Sequence, residues 1–101
     1  MPVRDTLMTT LLPSEAALQD KLKAELEHPR AKGEPVIVIE RPNIGTTHLY
    51  VIWSKWGKMD QMVRSRIILD AFEESKGQTE AVKVTVSMGL TPVEAKRLGI
   101  G

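Results

Sequence analysis

Apolar residues recur at helical spacing in the first third of the chain. Leu18, Leu22 and Leu26 stand four residues apart, so they fall on one side of an α-helix with polar residues opposite. Ser14 has the side chain of an N-cap, and Pro29 cannot continue a helix. The pattern predicts an amphipathic helix that begins near Ser14 and ends before Pro29.

A second, longer helical pattern begins after Asp60 and ends at Gly77. Aspartate is a good N-cap, and glycine often follows directly after a helix. The apolar face of this helix consists of Ile67, Ile68, Ala71 and Phe72, extended by Met62 and Leu69. Arg66 and the acidic residues of the segment fall opposite, so we expect one side of the helix to pack on a core.

Three short segments have the composition of β-strands. Residues 36–40 are mostly Val and Ile, and residues 48–54 follow after a turn rich in proline, asparagine and glycine. The short link predicts an antiparallel hairpin. Residues 81–88 alternate, which predicts Val82, Val84, Val86 and Met88 inward and Lys83, Thr85 and Ser87 outward. Because a predicted helix separates this strand from the second one, we expect these two strands to be parallel.

The end of the chain carries a clear signal for the start of a helix. Thr91, Pro92 and Glu94 occupy the N-cap, N1 and N3 positions of a capping box. They predict a short helix that ends near Gly99. The order of elements is then α-β-β-α-β-α, which predicts an α+β fold in which a three-stranded mixed sheet carries helices on one face.

Composition narrows the class of protein. A chain of 101 residues has single-domain length, and we place one α+β domain at residues 13–101 after a flexible N-terminal arm at residues 1–12. The absence of cysteine excludes a disulfide framework, a thiol nucleophile and a zinc finger. A net charge of +1 is low for a dedicated DNA-binding domain. No apolar run approaches the ~20 residues that span a bilayer, so we expect no membrane contact and a cytoplasmic location.

The chain holds no recognisable catalytic or metal-binding motif. The two histidines, His28 and His48, stand 20 residues apart, and no nucleophile or phosphate-loop motif is present. Asp70, Glu73 and Glu74 fall on the polar side of a helix, where solvated carboxylates are the ordinary interpretation. We therefore expect no catalytic residues, no metal ligands and no cofactor, and an enzyme is only the third hypothesis.

The candidate binding residues lie between residues 46 and 66, a stretch that contains both tryptophans. His48 and Tyr50 share one face of the predicted second strand, and Trp56 and Lys58 follow in a loop. An exposed tryptophan is a frequent interface hot spot, but Trp56 could equally cover the sheet edge, and His48 could have no special role. The main hypothesis is a small non-catalytic protein-interaction or regulatory module in which these four residues contact a protein partner.

The alternative hypothesis is weak nucleic-acid binding of the KH type. Lys55, Lys58 and Arg64 are the cations that could face one anion. Arg66 would point elsewhere, because positions two apart on a helix differ by about 200°. A structural salt bridge from Arg64 to Asp60 is the competing interpretation. The two open edges of a three-stranded sheet also predict a homodimer through a sheet edge.

Several landmarks follow one another in an order that a known family shares. They are Thr47-His48-Leu49 at the start of the second strand, Ser54 at its end, Trp56-Gly57 in the loop, Arg64-Ser65-Arg66 on the long helix and Thr91-Pro92-Val93-Glu94 near the C-terminus. In this order they resemble the BolA family, whose fold is similar to a type II KH domain. The resemblance covers about residues 18–95 and implies an α-β-β-α-β order with a closing Thr-Pro-x-Glu/Gln segment.

Departures from the family pattern bear on function. Ser65 stands where the family has a histidine between two arginines, and Glu80-Ala81-Val82 stands where a histidine precedes an Ala-Leu pair. That latter histidine is the family's usual ligand for an iron–sulfur cluster shared with monothiol glutaredoxins, so only His48 could serve here. The G-x-x-G loop with which KH domains grip phosphates is absent as well. The resemblance therefore implies a fold more than an activity.

Overall fold

The computed structural model describes residues 12–101. The elements are α1 (Pro13–Glu27), β1 (Val36–Asn43), β2 (Thr46–Ile52), a 3₁₀ turn (Ser54–Trp56), α2 (Gln61–Lys76), α3 (Gln78–Ala81), β3 (Val84–Leu90) and α4 (Pro92–Leu98). The α+β class and the three-stranded mixed sheet are confirmed. The predicted arm, residues 1–12, lies outside the described residues except for Leu12. None of the helices within residues 12–101 has the length and apolar character needed to cross a membrane.

The sheet has the strand order β1-β2-β3. β1 and β2 are antiparallel, with Val36 opposite Ile52, and Gly45 in the connecting turn has the positive φ of 86° that a tight hairpin favours. β2 and β3 are parallel, and α2 lies in the crossover between them. Both the predicted hairpin and the predicted parallel pair are confirmed. The structure adds the short helix α3, which the sequence pattern did not indicate.

The main core lies between α1, α2 and one face of the sheet. It includes Leu22, Leu26, Leu49, Val51, Trp53, Trp56, Ile67, Ile68, Ala71 and Phe72. The apolar side of α2 faces the sheet as its spacing predicts, because residues one turn apart share one side of a helix. Met62 is an exception: it was placed at the margin of this apolar side, but it is 79% exposed in the first turn of α2.

The side chains of β3 do not follow the predicted alternation. Val82 precedes the strand and is exposed, and Val84 packs against the main core. Val86 and Met88 lie opposite His48 and Tyr50, on the sheet face that is turned away from α1 and α2. The prediction that these four residues point inward was therefore correct for Val84 and wrong for Val82, Val86 and Met88.

The cause is a register shift between Thr47 and His48 in the pairing of β2 with β3. After this shift, Ser87 lies opposite Leu49 on the helix-covered face. Its hydroxyl donates to the carbonyl oxygen of Ser65 on α2 at 3.1 Å, and the Ser65 hydroxyl donates to the carbonyl of Ser87. This reciprocal pair satisfies the polar groups that the shift brings under the helix.

The ends of the helices follow local capping rules. α1 begins at Pro13 with Leu12 as the N-cap, so the predicted N-cap at Ser14 was wrong. Leu12 N–H is satisfied by the carboxylate of Glu15 at 3.1 Å. The capping box of α4 is confirmed, because Thr91 N–H donates to Glu94 Oε1 at 2.8 Å and Glu94 N–H donates to Thr91 Oγ1 at 3.3 Å.

α4 packs in a different place from the two long helices. Its Ala95 forms a second apolar cluster with Ile52 and Leu90, and Ile100 packs against that cluster. The predicted arrangement of helices on one face thus holds for α1 and α2, whereas α4 covers one end of the opposite face. The rest of that face carries no helix among the described residues.

Candidate functional site: the open sheet face

Trp56 is not an exposed anchor. Its side chain is 1% exposed, and its Nε1–H donates to the carbonyl oxygen of Val51 at 2.9 Å. The indole meets that of Trp53 edge to face, with ring centroids 5.4 Å apart. The 3₁₀ turn folds the ring back onto the sheet, where Gly89 leaves room for it. The prediction that Trp56 contacts a partner was therefore wrong, since a partner cannot reach a fully buried ring.

Arg64 is also part of the core and not of a surface. Its guanidinium, 5% exposed, donates to four acceptors and so binds the loop after β2, the end of β3 and the start of α4 together. The acceptors are Met59 O at 2.8 Å, Gly57 O at 3.0 Å, Gly89 O at 3.1 Å and Glu94 Oε1 at 2.8 Å. The prediction that Arg64 binds nucleic acid was wrong, because all these donors are directed inward.

Glu94 is the carboxylate partner of Arg64, and Asp60 is not. Asp60 contributes only its carbonyl oxygen, which accepts from Arg64 N–H at 3.0 Å in the first turn of α2. The pKa of Glu94 is held below its usual value by the N–H of Thr91, and the Arg64 guanidinium lowers it further. Glu94 is therefore both the N3 residue of a capping box and the ionic end of the Arg64 clamp.

Lys55 and Lys58 are exposed on the segment that follows β2. Lys55 lines a cavity of about 420 Å³ together with Lys21, His28 and Trp53, and Lys58 is not part of this lining. With Arg64 directed inward, the predicted cluster of three cations is reduced to two. Two exposed lysines are a small electrostatic footprint for a nucleic-acid-binding surface.

His48 and Tyr50 do share a surface, as their spacing on β2 predicts. Both side chains are half-buried, and their rings meet edge to face with centroids 6.5 Å apart. His48 Nδ1 lies 3.7 Å from Glu40 Oε1 on the neighbouring strand. Lys58 lies in the loop beyond the far end of β2, so the structure does not bring it next to His48.

Val38, Val86 and Met88 lie on the same surface as these two rings. We call this surface the open sheet face; it consists of Val38, His48, Tyr50, Val86 and Met88. All five are half-buried, and they come from all three strands. Val38 and Met88 flank Tyr50, and Val86 lies opposite His48. Sequence reasoning missed Val86 and Met88 because unbroken alternation along β3 placed them in the core. The register shift that exposes them depends on pairing with β2 and leaves no local signal.

The side chains of the open sheet face are of types that make contacts with other proteins. Within residues 12–101, no group of three or more His, Cys, Asp or Glu side chains could hold a metal ion. The tyrosine and histidine each combine an apolar ring with a polar edge, which suits them to a protein interface.

No protein-family model, curated protein or solved structure matches the chain. The resemblance to BolA proteins therefore stays a prediction that rests on the sequence landmarks.

Proposed function

We propose that the chain is a small non-catalytic module that binds a partner protein through the open sheet face. One observation carries this proposal. Apolar side chains from all three strands lie side by side and half-exposed on a sheet face that α4 covers only at its Ile52 end. Antiparallel and mixed sheets that face water usually alternate apolar-in and polar-out, so a continuous apolar patch on the outer face indicates a contact surface.

The composition of the patch indicates what kind of partner fits it. Tyr50 lies at the centre, flanked by Val38 and Met88, with His48 and its neighbour Glu40 at one side. An aromatic residue surrounded by aliphatic side chains and bordered by polar groups is the usual anatomy of an interface core and rim. The partner should therefore present an apolar surface that buries the Tyr50 ring.

Nucleic-acid binding receives less support from the geometry. Arg64 is committed to four acceptors inside the fold, which leaves Lys55 and Lys58 as the exposed cations of the predicted set. Neutralising about two phosphates gives weak binding that disappears at moderate salt concentrations.

Affinity purification with matched variants tests the proposal. Tyr50→Thr removes the central ring and keeps a residue that favours strands, and Lys58→Thr introduces the same residue at an exposed position outside the patch. Wild-type and Lys58→Thr protein should retain the same partner from an extract of the native cells, and Tyr50→Thr should reduce its recovery about tenfold or more. Urea unfolding of each variant checks that the fold is intact. Equal recovery with all three proteins would contradict the proposal.

A further inference from the structure

The outer edge of β1 has no partner strand among the described residues, because β1 is the first strand of the order β1-β2-β3. Edge strands are usually protected by charges, prolines or a covering element. β1 begins with four β-branched residues, Val36 to Ile39, and its charged residues follow only at Glu40 and Arg41. Val36 and Ile39 are 42% and 37% exposed. The edge is therefore apolar and open over its first half.

The hydrogen bonds of β2 show which backbone groups of that strand are directed towards β3. Thr47 N–H donates to Lys83 O at 2.9 Å, and Trp53 N–H donates to Leu90 O at 2.8 Å. N–H and C=O groups of one strand residue point to the same side, and the side alternates along the strand. The odd-numbered residues of β2 are thus directed towards β3, and the even-numbered ones towards β1.

The register then identifies the free backbone groups of β1. The even-numbered residues of β2 lie opposite Val36, Val38 and Glu40, so these three form the hydrogen-bonded pairs of the hairpin. Ile37 and Ile39 direct their N–H and C=O groups outward. An added strand forms its hydrogen bonds with the outward N–H and C=O groups of alternate residues, and Ile37 and Ile39 provide two such residues.

A groove runs beside these backbone groups. It has a volume of about 390 Å³, and its apolar lining includes Leu26, Pro35, Ile37 and Ile39. Lys32, Lys76, Arg30 and Glu25 also line it. Arg30 Nε lies 2.8 Å from Glu25 Oε1, which balances one positive charge with one negative charge. The groove is therefore apolar with a surplus of positive charge from Lys32 and Lys76.

The outer wall of the groove is built by specific contacts. Besides its pair with Glu25, Arg30 donates to the carbonyl oxygen of Glu34. The Glu34 carboxylate in turn accepts from Ser54 N–H at 2.8 Å and from Ser54 Oγ at 2.7 Å. The connection between α1 and β1 is tied to the end of β2 in this way, so the groove exists before any ligand arrives.

The charges distinguish between two occupants. Two copies of β1 can pair only antiparallel about a twofold axis perpendicular to the sheet, which places the α1 sides of both copies on one side of the joined sheet. Lys32 and Lys76 of both copies would then approach each other, and like charges at an interface are unfavourable. An extended segment with acidic residues matches the same edge without this repulsion.

We propose that the β1 edge and its groove bind an extended acidic peptide segment of another protein by strand addition. The backbone of Ile37 and Ile39 would pair with the added strand, alternate apolar side chains of the peptide would enter the groove, and its carboxylates would face Lys32 and Lys76. This surface is separate from the open sheet face, so either proposal can fail alone.

The test is an amide chemical-shift titration of the isotope-labelled full-length chain. The probe is the capped heptapeptide Glu-Thr-Val-Thr-Val-Thr-Glu, whose glutamates and valines share one face of an extended strand, and the control peptide has lysine in place of both glutamates. Saturable shifts at the amides of Ile37 and Ile39 should exceed those at Val36 and Val38, whose N–H groups are already paired with β2. The lysine peptide should bind at least about tenfold more weakly, because it reverses two charges next to cations.

Two charge variants separate the groove from general electrostatics. Lys32→Glu reverses an exposed charge at the groove and should weaken binding of the glutamate peptide about fivefold, whereas Lys58→Glu makes the same change outside it and should have no effect. Absence of saturable shifts, or equal binding of both peptides, would overturn the proposal. Shifts at Ile37 and Ile39 that depend on protein concentration without peptide would also overturn it, in favour of a second copy at this edge.

Discussion

The Arg64 clamp makes a prediction that the structure allows us to quantify. Arg64→Met replaces the aliphatic part of the arginine with an apolar chain and removes the guanidinium. Three carbonyl oxygens and one carboxylate then lose their donor. Gly57 and Glu94 lie near the surface and regain water, whereas Gly89 is buried. An unsatisfied buried acceptor costs about 1–3 kcal/mol, and removal of one member of a buried pair costs about 3–5 kcal/mol. We therefore expect Arg64→Met to lower the free energy of unfolding by about 3 kcal/mol.

Two companion variants show where this energy comes from. Glu94→Gln removes the charge from the hydrogen bonds that Thr91 N–H and Arg64 make to a carboxylate that is 36% exposed, and the amide oxygen can still accept them, so its cost should be about 1 kcal/mol. Arg66→Met changes an exposed arginine two positions away on the same helix and removes a surface attraction to Asp70, so it should alter stability by about 0.5 kcal/mol. Urea unfolding followed by the fluorescence of the buried tryptophans measures all three.

The outcomes separate the explanations. If Arg64→Met costs no more than Arg66→Met, the four hydrogen bonds do not hold the loop, β3 and α4 together, and the guanidinium would be available for another role. If Glu94→Gln costs as much as Arg64→Met, the charge of the Glu94 carboxylate and not the three carbonyl contacts supplies the stability.

Further predictions follow from single contacts. Gly89→Ala should cost about 2 kcal/mol in urea unfolding, because its Cβ would lie 2.8 Å from Trp56 Cε2 and 2.9 Å from Arg64 Cβ; an unchanged midpoint would mean that these groups shift freely. Because its pKa is lowered in the fold, Glu94 contributes stability that is present above its usual value of 4.5 and lost as pH falls through the lowered value. Wild-type protein should thus lose stability below about pH 4.5 more steeply than Glu94→Gln, and parallel pH profiles would argue against stabilisation of the carboxylate by Thr91 N–H and Arg64. Burial, with the neighbouring acidic residues of α2, raises the pKa of Asp70, so its ionised form is disfavoured in the fold. Asp70→Asn should therefore be more stable than wild type at pH 7, with an advantage that vanishes as pH falls below about 3.8; a less stable variant would show that attraction to Arg66 outweighs burial.

Local signals were sufficient for most of the fold. Thr91, Pro92 and Glu94 specify the start of α4 through contacts within one turn, and the structure forms each of them. The spacing of apolar residues placed the correct side of α2 on the core. The N-cap of α1 was missed by two positions because Pro13 fits the first helical position, which moves the cap to Leu12.

The candidate site depended on contacts between distant residues, and sequence spacing does not report these. Trp56, in the 3₁₀ turn after β2, is buried because Gly89 on β3 leaves space for its indole. The acceptors of Arg64 come from the loop after β2, from β3 and from α4. Arg64 stands one helical turn before Ile67 and Ile68, so its position beside the apolar side of α2 was the one sequence signal of its structural role.

Photo-crosslinking at position 50 shows whether the open sheet face contacts a partner protein. Tyr50 is replaced by p-benzoylphenylalanine, a photoreactive residue that keeps the first aromatic ring, in the chain expressed in its native cells. The same residue at Val93, which is 65% exposed on α4, serves as the control. If the open sheet face binds a partner protein, position 50 forms a discrete crosslinked product that Met88→Glu suppresses, and position 93 does not form it. No product at position 50, or the same products at both positions, would contradict a binding role for this face.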